Sequence, residues 1–132
     1  MNISSLLTRL LLLVSGLVGI TVGGMLLFTP VMFHASAEIS LGDNPSLLSE
    51  VRSPGAFLLP VSAFMLLAVF REHWQTTAVT VSAITYSSYA AGRLVSILLD
   101  GMPSSSILGA FAIEVTIGLL ASYVAIRSRS KA

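Results

Sequence analysis

Tyr86-Ser87-Ser88-Tyr89-Ala90-Ala91-Gly92-Arg93-Leu94-Val95-Ser96-Ile97-Leu98-Leu99-Asp100 is the stretch whose reading decides the fold. It closes a long apolar segment of the kind that crosses a bilayer, yet it carries an arginine, two tyrosines and an aspartate. At about 100° per residue, Ser82, Tyr86, Tyr89, Arg93, Ser96 and Asp100 fall within an arc of roughly 80° on a helix. The opposite side is mainly Ala, Leu, Ile and Val, with Thr85, Ser87 and Ser88. A charge at membrane depth is costly and faces protein or water rather than lipid. The pattern therefore predicts a membrane helix with one polar stripe turned toward a site inside a bundle.

Composition agrees with that class. Of the 132 residues, 55% are hydrophobic and 10% charged, against about 25% charged in soluble domains. The mean hydropathy is +0.91. The length suits a single domain over residues 1–132. A net charge of +1 offers nucleic acid no electrostatic attraction. With no cysteine there is no disulfide, zinc–thiolate site or thiol chemistry.

Four apolar segments are expected to be helical, over about 7–33, 53–70, 76–99 and 103–126. The uncharged run Leu10 to Phe33 spans 24 residues, and about 20 suffice to cross a bilayer. Gly19 and Gly23 form a Gly-x-x-x-Gly pair, which either lets two helix backbones approach closely or reflects the glycine tolerance of membrane helices. A signal peptide competes for this run, with Arg9 as its basic region and Ala35-Ser36-Ala37 as its cleavage site. The run is far longer than the roughly 7–15 residues of such a segment, which favours a retained helix. Ser53-Pro54 reads as the start of the second helix, a side-chain cap followed by a proline. Pro60 is expected to kink it. Trp74 suits a membrane interface. Asp100-Gly101-Met102-Pro103 reads as the end of the third helix and the opening of the fourth. The fold class is thus all-α, a membrane-spanning antiparallel four-helix bundle.

Four spans put Arg9, Arg71, Arg127, Arg129 and Lys131 on one side, five of the seven basic residues. The positive-inside rule then places both termini in the cytoplasm. Glu38, Asp43, Glu50 and Asp100 fall on the outer side.

Depth ties the polar residues together. At about 1.5 Å per residue, Arg93 lies roughly 10 Å and Tyr89 roughly 16 Å below the outer end of the third helix, and Glu114 lies roughly 16 Å down the fourth. A short turn makes these helices antiparallel neighbours. Arg93 can then reach Glu114 or Asp100, and Tyr89 is level with Glu114. Glu50 and Arg52 approach from the outer end of the second helix. The expected polar cluster is Glu50, Arg52, Tyr86, Tyr89, Arg93, Ser96, Asp100 and Glu114, around a pocket open to the outer face with Glu114 as its floor.

Several functions fit such a cluster. The pocket could bind a lipid, a quinone or another small amphiphile. The charges could instead be a helix-packing lock in a structural or partner-binding subunit, alone or as a homo-oligomer. A proton-coupled route needs access from both sides, and the inner half supplies only Thr76, Thr77, Thr80 and Ser82. An enzyme would use Glu114 or Asp100 as acid or base. No cofactor is implied. His34 and Glu38 are one turn apart, but His73 lies across the membrane, so no metal site is expected. No histidine is placed to activate a serine, and phosphate-binding glycine motifs are absent.

Leu47-Leu48-Ser49-Glu50-Val51-Arg52 before a helical glycine, Gly92-Arg93-Leu94-Val95-Ser96, Asp100-Gly101-x-Pro103, and Glu114 with Gly118 four residues on form an ordered set. Over about residues 10 to 126 this set resembles the small four-helix bacterial membrane proteins of domain of unknown function 4345. The chain has Ser53-Pro54-Gly55-Ala56 where that family usually has a glycine pair. The resemblance implies a fold and points to Glu50, Arg52, Arg93, Asp100 and Glu114; it implies no activity.

Overall fold

The computed structural model describes residues 3–129, with side chains from 5 to 128. Within them the chain is all-helical, in five helices: α1 (Ile3–Phe28), α2 (Pro30–Ala35), α3 (Pro45–Ala68), α4 (Glu72–Asp100) and α5 (Ser105–Arg129). Three stretches are long and apolar enough to cross a membrane: Ser5–Phe28, Pro45–Val69 and Ser105–Ser128. Lys131 and the side chain of Arg129 lie outside the described residues.

The four expected segments become five helices because of Pro30. Its nitrogen has no hydrogen to donate to the carbonyl of Leu26, and it pushes the preceding residue out of the helical region. Thr29 sits at φ −130°, ψ 49°. The helix restarts as the short α2 and ends before a loop in which Glu38 and Gly42 take positive φ.

The second segment starts eight residues before the expected Ser53. Asn44 caps α3: its Oδ1 accepts from Ser46 N at 2.9 Å and Leu47 N at 3.3 Å. Pro45 follows in the first turn, where a missing N–H costs nothing. Ser53 and Pro54 are interior, and the Ser53 hydroxyl donates back to the Ser49 carbonyl at 2.9 Å. At the far end of α4, Gly101 at φ 97° stops the helix where expected. The next helix begins at Ser105 rather than Pro103.

Contacts fix the directions. Gly16, Gly19 and Gly23 of α1 face Leu66, Ser62 and Gly55 of α3, so α1 and α3 are antiparallel. Gly118 faces Ser87 and Glu114 meets Arg93, so α5 runs against α4. Arg9 pairs with Glu72 at 2.7 Å, and Ser15 meets Ser82 at 3.0 Å, so α1 and α4 run parallel. The four long helices therefore alternate in direction, with α1 packed most heavily on α3 and α4 on α5.

The α1–α3 seam is close because its residues are small. A Cβ on Gly55 would stand 2.7 Å from the Gly23 carbonyl oxygen. The glycine pair in the first segment thus brings two backbones of this chain together, while Gly24 faces open space.

Burial is uneven along the bundle. Toward the Arg9 end, Leu12, Met65, Ala68, Ala78, Val79 and Ala121 are fully buried. Toward α2 the helices part around a cavity. Side-chain size explains the difference: Ala68, Ala78, Ala83, Ala121 and Ala125 let four helices converge, whereas the other end must accommodate Tyr89, Arg93, Phe33 and Glu114.

Candidate functional site

The cavity at the α2 end has a volume of about 560 Å³. All five helices contribute to its wall. Val18, Val22 and Leu26 come from α1, Glu50 and Leu58 from α3, Tyr86, Tyr89 and Arg93 from α4, and Ala110 and Glu114 from α5. Phe33 and His34 of α2 line it too, with Ser36, Ala37 and Ile39 just beyond. Ser106 Oγ donates to the Ser36 carbonyl at 2.8 Å and ties the start of α5 to the end of α2. The His34 Nδ1 lies 2.9 Å from the Pro30 carbonyl, which can only accept, so Nδ1 is the donor there.

Arg93 Nε donates to Glu114 Oε2 at 2.7 Å. The arginine side chain keeps 32% of its exposure and the glutamate 12%. Helix geometry dictates the meeting: α4 and α5 are antiparallel, and the Ser87–Gly118 contact sets a register that brings residues 93 and 114 alongside. Gly118 is needed there, since a Cβ on it would stand 2.9 Å from Ser87 Oγ. Among the described residues no protein atom accepts from either Nη of Arg93, and the Tyr89 hydroxyl bonds no protein group. The cavity wall is thus mostly apolar, with a cationic fork, a carboxylate and a phenol converging on one side. Such a chamber can hold an apolar body and orient a polar head.

The polar stripe of α4 does not act as one surface, because it is divided among α1, α5 and α4 itself. At the Arg9 end, Ser82 Oγ donates to Ser15 Oγ at 3.0 Å, and the Tyr86 hydroxyl donates to the Ser15 carbonyl. Tyr86 is buried and lines the cavity's deep end with its ring while its hydroxyl is spent on α1. In the middle, Tyr89 and Arg93 face Glu114. At the far end, Ser96 Oγ donates to Asp100 Oδ2 at 3.0 Å, and both are exposed. Asp100 therefore pairs within its own helix and not with Arg93.

Of the two residues expected from the second segment, Glu50 lines the cavity and Arg52 does not. Arg52 Nη1 donates to the Leu27 carbonyl. The last carbonyls of a helix lack intrahelical partners and carry its negative dipole end, so a cation there is a C-terminal cap for α1. The break at Pro30 creates that acceptor, and with Pro30 read as mid-helix it is invisible in sequence.

Two features escaped sequence reading. Ser15 and Ser62 are fully buried in α1 and α3; both sit in apolar runs where serine carries no periodic signal. The Arg9–Glu72 pair links the starts of α1 and α4. A second hollow of about 730 Å³ lies between α3 and α4 and shares Thr85, Tyr89, Arg93 and Ile107 with the first.

No curated protein and no solved structure matches the chain. A family model matches residues 7–125, nearly the whole chain, and the chain therefore belongs to the family described as Domain of unknown function (DUF4345).

Proposed function

We propose that the chain is an integral membrane protein of four antiparallel spans that holds a small amphiphile in the chamber around Arg93 and Glu114. In this reading α4 is the fourth span. It is 29 residues long but less apolar than its neighbours, because its polar side chains are turned onto α1 and α5. The bilayer is that of a bacterial inner membrane, with both termini in the cytoplasm and α2 on the outer side. The observation that carries the reading is the pairing of an apolar chamber with an arginine whose two Nη groups are uncommitted. An ionisable residue inside a membrane is by default a candidate functional site. The packed Arg9 half, with Leu12, Met65 and Val79 fully buried, has only the hydroxyls of Ser15, Ser62 and Ser82 as buried polar side chains among the described residues, which weighs against a proton-coupled transporter. Native mass spectrometry of protein extracted from its own membrane tests the reading by looking for a retained small molecule.

A second reading has its own support. The 2.7 Å pair joins α4 to α5, and such a pair can serve only to set helix register. Comparing ligand retention with stability in the Arg93 and Glu114 variants separates the two.

A further inference from the structure

We infer that the occupant of the chamber is a bilayer phospholipid with a zwitterionic, amine-bearing head, and that it enters sideways between α3 and α4. This rests on the chamber reading above and names its ligand class and route.

The route follows from the way the helices part. α3 and α4 touch far less than α1 and α3 or α4 and α5 do. The space between them is the 730 Å³ hollow, open along the bundle's side. Phe57, Val61, Ile84 and Ile97 line it, and Phe57 and Ile84 are 66% and 63% exposed. With α3 and α4 as spans, that side faces hydrocarbon. The hollow and the chamber meet at Thr85, Tyr89, Arg93 and Ile107, so Arg93 stands where the apolar groove turns into the polar interior. A molecule with its head at Arg93 and its chain in the groove would fill both spaces and remain continuous with the lipid phase. Toward water the way is narrower, because α2 covers that end and Ser106 is tied to Ser36.

The head follows from charge. Among the described residues Arg93 is the one arginine or lysine lining the chamber, His34 is its one histidine, and Glu114 and Glu50 are its two carboxylates. Nε of Arg93 is committed to Glu114, which leaves its Nη edge to donate to a phosphate oxygen. An ammonium beyond that phosphate meets the excess carboxylate. An anionic head would leave that carboxylate facing like charge, and a neutral quinone would use neither carboxylate.

The test uses the full-length protein in lipid nanodiscs with phospholipid probes that carry a diazirine in the acyl chain. The arms are a phosphatidylethanolamine probe, a phosphatidylglycerol probe and a quinone with the same photoreactive chain. Adducts are mapped by peptide mass spectrometry. The ethanolamine probe is expected to label Phe33 or Ala110, which line only the chamber, beside the ordinary labelling of outward-facing Leu119 and Leu120. Ser88→Trp, or Ile84→Trp if the first variant melts early, fills the groove and is expected to cut the chamber adducts about tenfold while Leu119 labelling stays unchanged. Chamber labelling that persists in both groove variants overturns the lateral route. Chamber labelling as strong with phosphatidylglycerol or the quinone overturns the head assignment. A small molecule retained in native mass spectrometry with no chamber adduct from any probe overturns the lipid while sparing the chamber. No retained molecule and no chamber adduct defeats both.

Discussion

Arg93 Nε donates to Glu114 Oε2 across 2.7 Å, from α4 to α5, with the glutamate nearly buried and the arginine turned half toward a cavity. The carboxylate has no other protein donor among the described residues, so the arginine alone compensates its burial. Removing either partner strands the other in a poorly solvated place. Arg93→Met or Glu114→Gln is expected to destabilise the detergent-solubilised protein by about 3 kcal/mol, the lower end of the range for buried pairs because Arg93 is part-exposed. The double variant, with no lone charge, should recover part of that loss. Thermal melting of the four proteins checks it; additive single effects would mean that the two charges are solvated independently.

The α1–α3 seam makes a separate prediction. A Cβ on Gly55 meets the Gly23 carbonyl at 2.7 Å and Leu27 N at 2.8 Å, both backbone atoms that cannot swing aside. Gly55→Ala is expected to cost about 1–3 kcal/mol through overpacking. Gly24→Ala meets nothing within 4 Å and should be neutral or stabilising by up to about 1 kcal/mol, from the better helix propensity of alanine. Equal melting of the two variants would show that α1 and α3 are not this close.

Two tyrosines one turn apart should behave differently. Tyr86 gives its hydroxyl to the Ser15 carbonyl, so Tyr86→Phe should lower stability by about 1 kcal/mol. Tyr89 lines both hollows, and among the described residues its hydroxyl bonds no protein group. Tyr89→Phe should leave melting within about 0.5 kcal/mol of the parent and weaken retention of a bound amphiphile. Melting curves paired with native mass spectra decide this; a Tyr89 variant that melts early but keeps its ligand would place that hydroxyl in the fold rather than the site.

The proposed four-span topology would put Arg9, Arg71, Arg127, Arg129 and Lys131, five of the seven basic residues, on one side, which the positive-inside rule would make cytoplasmic. A reporter active only in the cytoplasm, fused to the C-terminus, is expected to give signal. A silent cytoplasmic fusion beside an active periplasmic one would invert the topology or remove one span.

Depth arithmetic sets Glu114 level with Tyr89 and leaves Arg93 within reach of either Glu114 or Asp100; the structure pairs it with Glu114. Asp100 and Gly101 likewise announced the end of α4, since the conformation there suits glycine. Tertiary detail was less legible. Pro30 looked like one more residue of an apolar run, and only its backbone consequence, the break at Thr29, reveals why Arg52 turns to the Leu27 carbonyl. Asn44-Pro45 and Ser53-Pro54 are both plausible helix starts, and the earlier one wins because Asn44 satisfies two backbone donors. Ser96 and Asp100 shared an arc with Arg93, but an arc on one helix does not say which partner each residue meets.

The central claim is that the Arg93–Glu114 chamber holds an amphiphile rather than merely locking two helices. Native mass spectrometry of the parent and the Arg93→Met/Glu114→Gln double variant, each extracted from the same membranes, tests it most directly. The account predicts a discrete adduct on the parent and its loss from a double variant that still melts cooperatively. An unliganded parent, or the same adduct on both proteins, would contradict it.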